Sequence, residues 1–309
     1  MTPEPAPNEP DLADARTGID LLANETRLRI VAELGDENAV PSTARDGLPF
    51  SELRRRVGVQ DSGRFNYHLD KLEGRFVQSA GEGQGGYVLT GAGSQIYQLL
   101  VRGTLEADVT ERTLDVTADC LQCGTGLSGT YGENGILRVQ CPDCGAGYYA
   151  SPVPPALVAT REDERALAAA REWVRNQTRL LARGLCPWCA GTVDRTLSTG
   201  EAEPGEDERD LAAYVRYYCG ECGTELYSTP GSRLLVHPAV VQFCADRGRD
   251  LRSRSTWRLP FAATDDYTTV IGEDPPRVAV TVPAGEEALR VVLDENAAIA
   301  DTRVERVPE

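Results

Sequence analysis

The residues of this chain best suited to chemistry are its nine cysteines, eight of which form four CxxC pairs. Two cysteines separated by two residues can present both thiolates to one tetrahedral ion, and a second such pair completes the four ligands. The sequence therefore predicts two four-cysteine metal sites, one from the first two pairs and one from the last two. The predicted ligands are Cys120, Cys123, Cys141 and Cys144, and then Cys186, Cys189, Cys219 and Cys222.

Zinc is the ion that we expect at both sites. The knuckle Cys141-Pro142-Asp143-Cys144-Gly145 resembles that of rubredoxins, which keeps iron as an alternative. Disulfides and redox catalysis are the competing interpretations, but nothing marks an oxidising compartment, and a thioredoxin-type motif would be single and set in a βαβ unit. A closed site of four thiolates has no open coordination position, so we expect two structural Zn²⁺ ions.

The remaining nucleophiles do not assemble into an active site. Cys244 lies among apolar neighbours and is expected to be a small buried hydrophobe. His237 precedes Pro238, which predicts a cap or loop role. Two histidines and scattered acids supply no Ser-His-Asp set, no phosphate loop and no pair of catalytic carboxylates. We therefore expect no enzyme.

Composition points to an acidic intracellular protein. The 309 residues carry a formal charge of −16, and Lys71 is the only lysine beside 31 arginines. An acidic, lysine-poor surface stays hydrated in concentrated salt, so we expect a halophile's cytoplasm. No run of 18 apolar residues and no signal-like N-terminus are present, which predicts a protein that is neither secreted nor membrane-spanning.

Length and patterning predict a multidomain α+β protein. An apolar stripe at helical spacing runs through the linking helix, at Leu167, Ala170, Val174, Gln177 and Leu181, and alternating valines and leucines near the C-terminus indicate an antiparallel sheet. The predicted parts are a disordered tail (1–10), a helical domain with a hairpin (11–115), a first zinc ribbon (116–160), a linking helix (161–184), a second zinc ribbon with a short helix (185–257) and a C-terminal antiparallel β module (258–309).

The first domain is predicted as four helices, a hairpin and a fifth helix. The turn Gly58-Val59-Gln60 separates two short helices, the second capped by Asp61 or Ser62, which is the helix-turn-helix arrangement. A glycine-rich run, 81–86, separates two strand-like segments and predicts a hairpin with a flexible tip.

This part of the chain resembles the ArsR-type winged helix-turn-helix transcription regulators. The whole layout, with paired zinc ribbons and a β-rich tail, looks like a haloarchaeal group of that type. The resemblance is carried by four segments: Leu22-Ala23-Asn24-Glu25-Thr26-Arg27-Leu28-Arg29-Ile30, Phe50-Ser51-Glu52-Leu53, Tyr67-His68-Leu69-Asp70-Lys71-Leu72 and Tyr87-Val88-Leu89-Thr90.

The resemblance implies that the helix at 61–73 enters the major groove of double-stranded DNA. The side chains expected to read bases are Ser62, Gly63, Arg64, Asn66, Tyr67 and His68. Those expected to hold phosphates are Arg54, Arg55, Arg56, Lys71 and Arg75. Basic residues outnumber acidic ones across 45–75, against the sign of the whole chain.

The resemblance also implies a homodimer, formed through helices that match 12–22 and 90–105. The chain departs from the metal-sensing members, because the helix at 51–58 holds no cysteine, and its wing tip has glycines and Glu82 but no arginine. Molar salt shortens the screening length to about 3 Å, so specificity must come from short-range contacts.

The sequence thus predicts a DNA-binding transcriptional regulator with two structural zinc sites. A protein-interaction adaptor remains an alternative, as does a redox- or metal-responsive regulator in which the four-cysteine sites sense. Phosphate binding by the ribbons themselves is not expected, because Arg138 is the only basic residue between Cys120 and Cys144.

Overall fold

The computed structural model describes residues 12–37, 47–80, 85–105, 111–132, 134–199 and 211–306. The predicted tail at 1–10, the hairpin tip with Glu82 and the acidic segment 201–210 lie outside these residues. The chain divides into two compact units, residues 1–107 and 108–309. It is an α+β protein with helices in the first unit and three antiparallel sheets of three or four strands in the second.

The first unit has its elements in the order that the sequence predicts. The elements are α1 (Leu12–Leu22), α2 (Glu25–Glu37), α3 (Phe50–Val57), α4 (Ser62–Leu72), β1 (Val77–Ser79), β2 (Tyr87–Leu89) and α5 (Gly91–Val101).

The turn between α3 and α4 is fixed by its backbone and by one cap. Gly58 ends α3 with a φ of 80°, a left-handed conformation that glycine adopts without steric cost. The carboxylate of Asp61 then accepts a hydrogen bond from the Arg64 amide at 2.5 Å and caps α4. Asp61, rather than Ser62, is therefore the cap.

The core of the first unit lies between α2, α3, α4 and the β1–β2 hairpin. Phe65 is completely buried and meets the Phe50 ring edge to face at 5.1 Å. Because one side of α4 packs here, its other side is left exposed. The fully buried members are Ile30, Val31, Leu53, Phe65, Leu72 and Val77.

The second unit begins with a four-stranded antiparallel sheet, continues through a long helix, and then forms two more antiparallel sheets. Its sheets have the strand orders β3-β4-β5-β6, β7-β8-β9 and β10-β11-β12-β13. The elements up to the third sheet are β3 (Arg112–Asp119), β4 (Gly126–Tyr131), β5 (Ile136–Gln140), β6 (Gly147–Pro152), α6 (Pro155–Val158), α7 (Asp163–Ala182), β7 (Val193–Thr199), β8 (Ala213–Cys219), β9 (Glu225–Ser228), α8 (Pro230–Leu234) and α9 (Pro238–Ala245).

Two short 3₁₀ helices, Leu251–Ser253 and Thr256–Arg258, and α10 (Pro260–Ala263) lead into the C-terminal sheet. Its strands are β10 (Thr268–Glu273), β11 (Pro276–Ala284), β12 (Glu287–Leu293) and β13 (Ile299–Arg306). The inward residues of β11 and β12 share one hydrophobic core with β7 and β8. The surface that covers this sheet, which the sequence does not identify, therefore includes the second cysteine-bearing sheet.

The helix α7 packs into both cores of the second unit. Leu167 and Ala170 belong to the core of the first sheet, and Leu181 belongs to the core of the second and third sheets. Leu180 is 36 % exposed and lies outside the buried stripe of α7, although it is a leucine next to Leu181. Across the described residues, every helix is too short or too polar to span a membrane.

Candidate metal centres and nucleic-acid interface

The first four predicted ligands lie together where two hairpins meet. Cys120 and Cys123 lie in the turn between β3 and β4, and Cys141 and Cys144 lie in the turn between β5 and β6. The Sγ atoms of Cys120 and Cys144 are 3.6 Å apart, and those of Cys123 and Cys141 are 3.4 Å apart. All four sulfur atoms lie within 4.8 Å of one another, so the two turns build one cluster.

The second cluster repeats this arrangement. Cys186 and Cys189 precede β7, and Cys219 and Cys222 lie at the turn from β8 to β9. The Sγ atoms of Cys186 and Cys222 are 3.8 Å apart, and those of Cys189 and Cys219 are 3.5 Å apart. These four sulfur atoms also fall within 4.8 Å of one another.

All four CxxC turns have the same backbone hydrogen bonds. The Cys120 amide donates to the Thr125 carbonyl at 2.7 Å, and the Gly124 amide donates back to the Cys120 carbonyl at 2.9 Å. The same pair of hydrogen bonds recurs at the other three CxxC turns. The residue after the second cysteine has a positive φ in every turn: Gly124 79°, Gly145 74°, Ala190 61° and Gly223 68°. Ala190 is thus the one position of the four where a side chain occupies this conformation.

Hydrogen bonds around the sulfur atoms favour thiolates at particular positions. Burial raises the pKa of Cys120, but hydrogen bonds from the Tyr148 hydroxyl and nearby backbone amides outweigh it and lower that pKa to about 6. The hydroxyl and amide of Thr224 likewise lower the pKa of Cys222 to about 6. Although the Ala146 amide lowers the pKa of Cys144, burial and the neighbouring sulfur atoms raise it to about 12. Thiolates that lie close together repel one another, and this repulsion raises their pKa values. A bound cation offsets the repulsion, so all four sulfurs can be thiolates at once.

The donor set fits a tetrahedral metal ion. A Zn–S bond of about 2.3 Å implies sulfur–sulfur edges of about 3.8 Å, close to the spacings found in both clusters. The cysteines are free rather than disulfide-bonded, and sulfurs of the two CxxC pairs in each cluster approach to 3.4–3.8 Å. Each cluster can therefore hold one metal ion, as the spacing of the cysteines predicts.

The predicted base-reading residues mostly lie on the exposed side of α4. Ser62, Gly63, Arg64 and Asn66 are exposed, and Tyr67 is 57 % exposed. The Arg64 side chain forms no hydrogen bond or ion pair with any described residue. The Asn66 amide donates to the Asp70 carboxylate at 2.8 Å. An amide has two N–H donors and a carbonyl acceptor, so Asn66 keeps the donor–acceptor pair that adenine requires.

His68 differs from its neighbours on α4. It is 8 % exposed, and its ring packs beside Tyr67 with 5.3 Å between the ring centroids. Burial, together with Arg27 and Arg64, lowers its pKa. The side chain faces the fold instead of solvent, so His68 is not placed to reach a base edge.

Several of the predicted phosphate-binding arginines have acidic partners within the first unit. Arg55 and Arg56 both bind Glu52, at 2.6 and 2.9 Å, and together they lower its pKa to about 2. Arg75 binds the Asp14 carboxylate at 2.9 Å.

Arg54 and Lys71 have other contacts. Arg54 donates to the carbonyls of Val59 and Gln60 in the turn before α4. Lys71 lies 5.7 Å from the centre of the Tyr67 ring. Backbone carbonyls do not neutralise the charge of Arg54. Among the described residues, the basic side chains around α4 without a carboxylate partner are therefore Arg54, Arg64 and Lys71, fewer than the count of basic residues suggests.

Comparisons with known proteins identify families but name no activity. A family model described as "Domain of unknown function (DUF7351)" matches residues 117–299, which include both cysteine clusters and more than half of the chain. The chain belongs to the DUF7351 family. A second model, "Domain of unknown function (DUF7347)", matches residues 15–100 in the first unit. No curated protein and no solved structure matches the chain.

Within the DUF7351 region, Cys244 and His237 occupy the structural positions expected for them. Cys244 is 1 % exposed, and burial raises its pKa. His237 is the N-cap residue of α9, although its side chain makes no capping hydrogen bond, and burial together with Arg233 lowers its pKa. Neither lies in a cysteine cluster.

Sequence reasoning did not assign roles to two DUF7351 residues that contact the ligands. The Tyr148 hydroxyl lies 3.2 Å from the Cys120 sulfur and accepts the Leu121 amide at 2.8 Å. The Thr224 hydroxyl lies 3.0 Å from the Cys222 sulfur. In the sequence, Tyr148 is marked only by its place shortly after the CxxCG motif at 141–145. The fold shows that its hydroxyl contacts the other CxxC turn of the cluster, at Cys120 and Leu121.

Proposed function

We propose that this DUF7351 protein is a sequence-specific DNA-binding transcriptional regulator with a winged helix-turn-helix reader, and that each four-cysteine cluster holds a structural Zn²⁺ ion. The observation that carries the proposal is the exposed row Arg64, Asn66 and Tyr67 along α4, a helix held by a short turn against α3 and followed by the β1–β2 hairpin. In this interpretation α4 lies in the major groove, and the hairpin is the wing.

The reader supplies two complementary base contacts. Arg64 can donate both guanidinium N–H groups to guanine, and Asn66 can bond adenine through its amide, each contact being worth about 1–3 kcal/mol of discrimination. Tyr67 adds an apolar face beside them. Arg55 reaches a phosphate only by leaving Glu52, and Arg56 only by leaving Glu52 and Glu37. Both steps cost little because exposed ion pairs are weak.

Exposed apolar side chains on α1, at the last residue of α5 and in the turn after it support a homodimer. Leu12 and Ile19 are 74 % and 67 % exposed, and Val101 and Leu105 are 52 % and 63 % exposed. A second copy that covers them would place two α4 helices on one duplex, which is how symmetric regulators read inverted repeats. Ile19→Glu or Val101→Glu is expected to give monomers in light scattering, and a monomeric wild type would contradict this step.

Base-resolved binding tests the reader. The full-length, zinc-loaded protein is used to select sequences from a random DNA pool in molar KCl, and the double variant Arg64→Ala and Asn66→Ala is compared on the selected site. We expect the loss of both contacts to weaken specific binding about 100-fold or more. Arg29→Ala, an exposed arginine of α2 outside the proposed interface, is the matched control.

Three outcomes would overturn parts of the proposal in different ways. Unaltered binding by the double variant removes α4 as the reader. Failure to enrich any sequence from the pool favours a protein-interaction adaptor, an alternative supported by the exposed Leu121 and Trp188 inside the cysteine turns, at 44 % and 43 %. DNA affinity that follows metal content in a folded protein would instead favour sensing by the four-cysteine sites.

A further inference from the structure

A cavity of about 500 Å³ lies inside the second unit, between the two cysteine-bearing sheets and α7. Its walls come from β5 and β6 on one side, β8 and β9 on another, and the face of α7 between Arg171 and Leu181. Sites for small organic ligands occupy about 300–1,000 Å³. The cavity is separate from the sulfur clusters and from α4.

Aromatic side chains form two of its walls. Tyr149 and Trp257 pair at 5.5 Å on the wall from β6 and the adjoining 3₁₀ helix, and Tyr214 and Tyr227 pair at 5.5 Å on the wall from β8 and β9. Planar ligands stack or meet edge to face with such rings at centroid distances of about 4.5–7 Å. Two aromatic walls therefore favour a flat ring system.

The charge of the lining is positive. Three arginines and one acid line the cavity: Arg138, Arg171, Arg175 and Glu225. The Glu225 carboxylate binds Arg216 and accepts the Tyr227 hydroxyl, and Arg171 binds Glu172 at 3.0 Å, so each of these two charges is balanced from outside the lining. The positive charge of the lining that has no directly bound carboxylate therefore lies at Arg175.

Arg175 is the most informative of these residues. It is 4 % exposed, and its terminal nitrogens donate to the carbonyls of Leu251, Arg252 and Arg254 at 2.5 Å. None of the described carboxylates forms an ion pair with it, and its Nε is buried without a hydrogen-bond partner. Glu172 and Asp250 act on Arg175 only through space. A buried charge without a directly bound counter-ion is costly, and an anion in the cavity would supply one.

Hydroxyl groups add hydrogen-bonding capacity to the lining. Tyr149 and Tyr217 line the cavity together with Ser151 and Ser228, the serines that interact with their phenol oxygens. Tyrosine and serine hydroxyls can donate hydrogen bonds to an oxyanion, in keeping with the sign of the lining.

We propose that this cavity is a binding site for a small aromatic anion, with its ring between the Tyr149–Trp257 and Tyr214–Tyr227 pairs and its acidic group turned toward the arginines. The site needs no contribution from DNA and does not rest on the proposed function. A ligand here would contact both cysteine-bearing sheets at once.

Two matched fluorescent probes test the charge and the shape together. The full-length, metal-loaded protein is titrated with 1-anilinonaphthalene-8-sulfonate and with its uncharged counterpart N-phenyl-1-naphthylamine. We expect saturable binding of one anionic probe per chain and about tenfold weaker binding of the neutral probe. The preference for the anion should persist in molar KCl, since salt screens buried charges much less than exposed ones.

Variants locate the probe. Thr178→Trp on α7 fills the cavity and should abolish binding of both probes, and Ser151→Trp on β6 tests the same point from another wall. Arg171→Gln should weaken the anion about tenfold and leave the neutral probe unchanged. Arg303→Gln removes the same charge from β13, outside the cavity lining, and should change neither. Circular dichroism and melting curves confirm that each variant is folded.

The opposite results would overturn the site. Binding that survives both tryptophan variants places the probe on exposed apolar surface. Equal or tighter binding of the neutral probe removes the role of the arginines. An equal loss from Arg171→Gln and Arg303→Gln would mean that only the net charge of the chain matters.

Discussion

Removing the hydroxyl of Tyr148 should loosen the first metal site and spare the second. Tyr148 is 3 % exposed, and its Oη both approaches the Cys120 sulfur and accepts the Leu121 amide. Because the oxygen already accepts that N–H, its own proton is free to donate to the thiolate. Tyr148→Phe deletes both interactions without changing the ring that packs in the core.

The expected size of the effect follows from these two hydrogen bonds. Hydrogen bonds to ligand atoms typically change metal affinity about 10–100-fold, and a lost hydrogen bond costs about 0.5–1.5 kcal/mol of stability, or more when the acceptor is charged. We therefore expect Tyr148→Phe to release one of two bound ions at about 10–100-fold lower chelator concentration. The second cluster has no contact with Tyr148 and serves as an internal reference.

Tyr131→Phe provides the matched control. Tyr131 is also 3 % exposed in the same core, and its hydroxyl donates to the Val153 carbonyl at 3.0 Å, away from any sulfur. This variant should lower the melting temperature without changing the chelator titration. Identical ion release from the two variants, measured with a chromogenic chelator, would refute the argument that Tyr148 supports Cys120.

Three further changes have defined outcomes. Ala190→Gly removes a side chain from a left-handed conformation and should raise the free energy of unfolding by about 0.5–1 kcal/mol, measured in urea with metal present. Because burial lowers the pKa of His68 in the fold, wild type should lose more stability than His68→Gln as pH falls below 6.5, in unfolding curves at a series of pH values; parallel curves would contradict this. Glu52→Gln frees Arg55 from Glu52, whereas Arg56 keeps Glu37 at 2.9 Å. DNA affinity should therefore rise, and it should fall more steeply with salt in binding assays across KCl concentrations; an unchanged slope would exclude Arg55 from phosphate contact.

The features that could be predicted from the sequence are those set by residues close together in the chain. Each CxxC turn is closed by hydrogen bonds within six residues, so the local geometry that presents two sulfurs together follows from the spacing within each pair. The cap at Asp61 and the alternating pattern of β11 and β12 are equally local. Ala190 shows that the turn tolerates a non-glycine residue where three glycines occupy the same position.

The features that the sequence did not reveal depend on distant partners. Arg75 meets Asp14 across 61 residues, and Arg56 meets Glu37 across 19, which removes positive charge that a count along 45–75 assigns to the DNA face. Arg175 looks like a solvated position on α7, yet it is buried because carbonyls from Leu251 to Arg254 accept its donors. Such pairings form only when the chain is folded, so the periodicity of apolar residues in the sequence does not predict them.

Tyr148 lies beside both the first cysteine cluster and the cavity, because it is one of the lining residues and its hydroxyl contacts Cys120. A ligand that displaced the ring would have to break the hydrogen bonds to Cys120 and Leu121, a combined cost of about 1–3 kcal/mol. By linkage, loss of the metal ion would change the affinity of the cavity by the same factor, about 5–150-fold at most. A ligand that stacks on the ring without moving it would leave metal affinity unchanged. Chelator titrations with and without a bound aromatic anion therefore separate a ligand site that is coupled to the metal from one that only shares a wall with it.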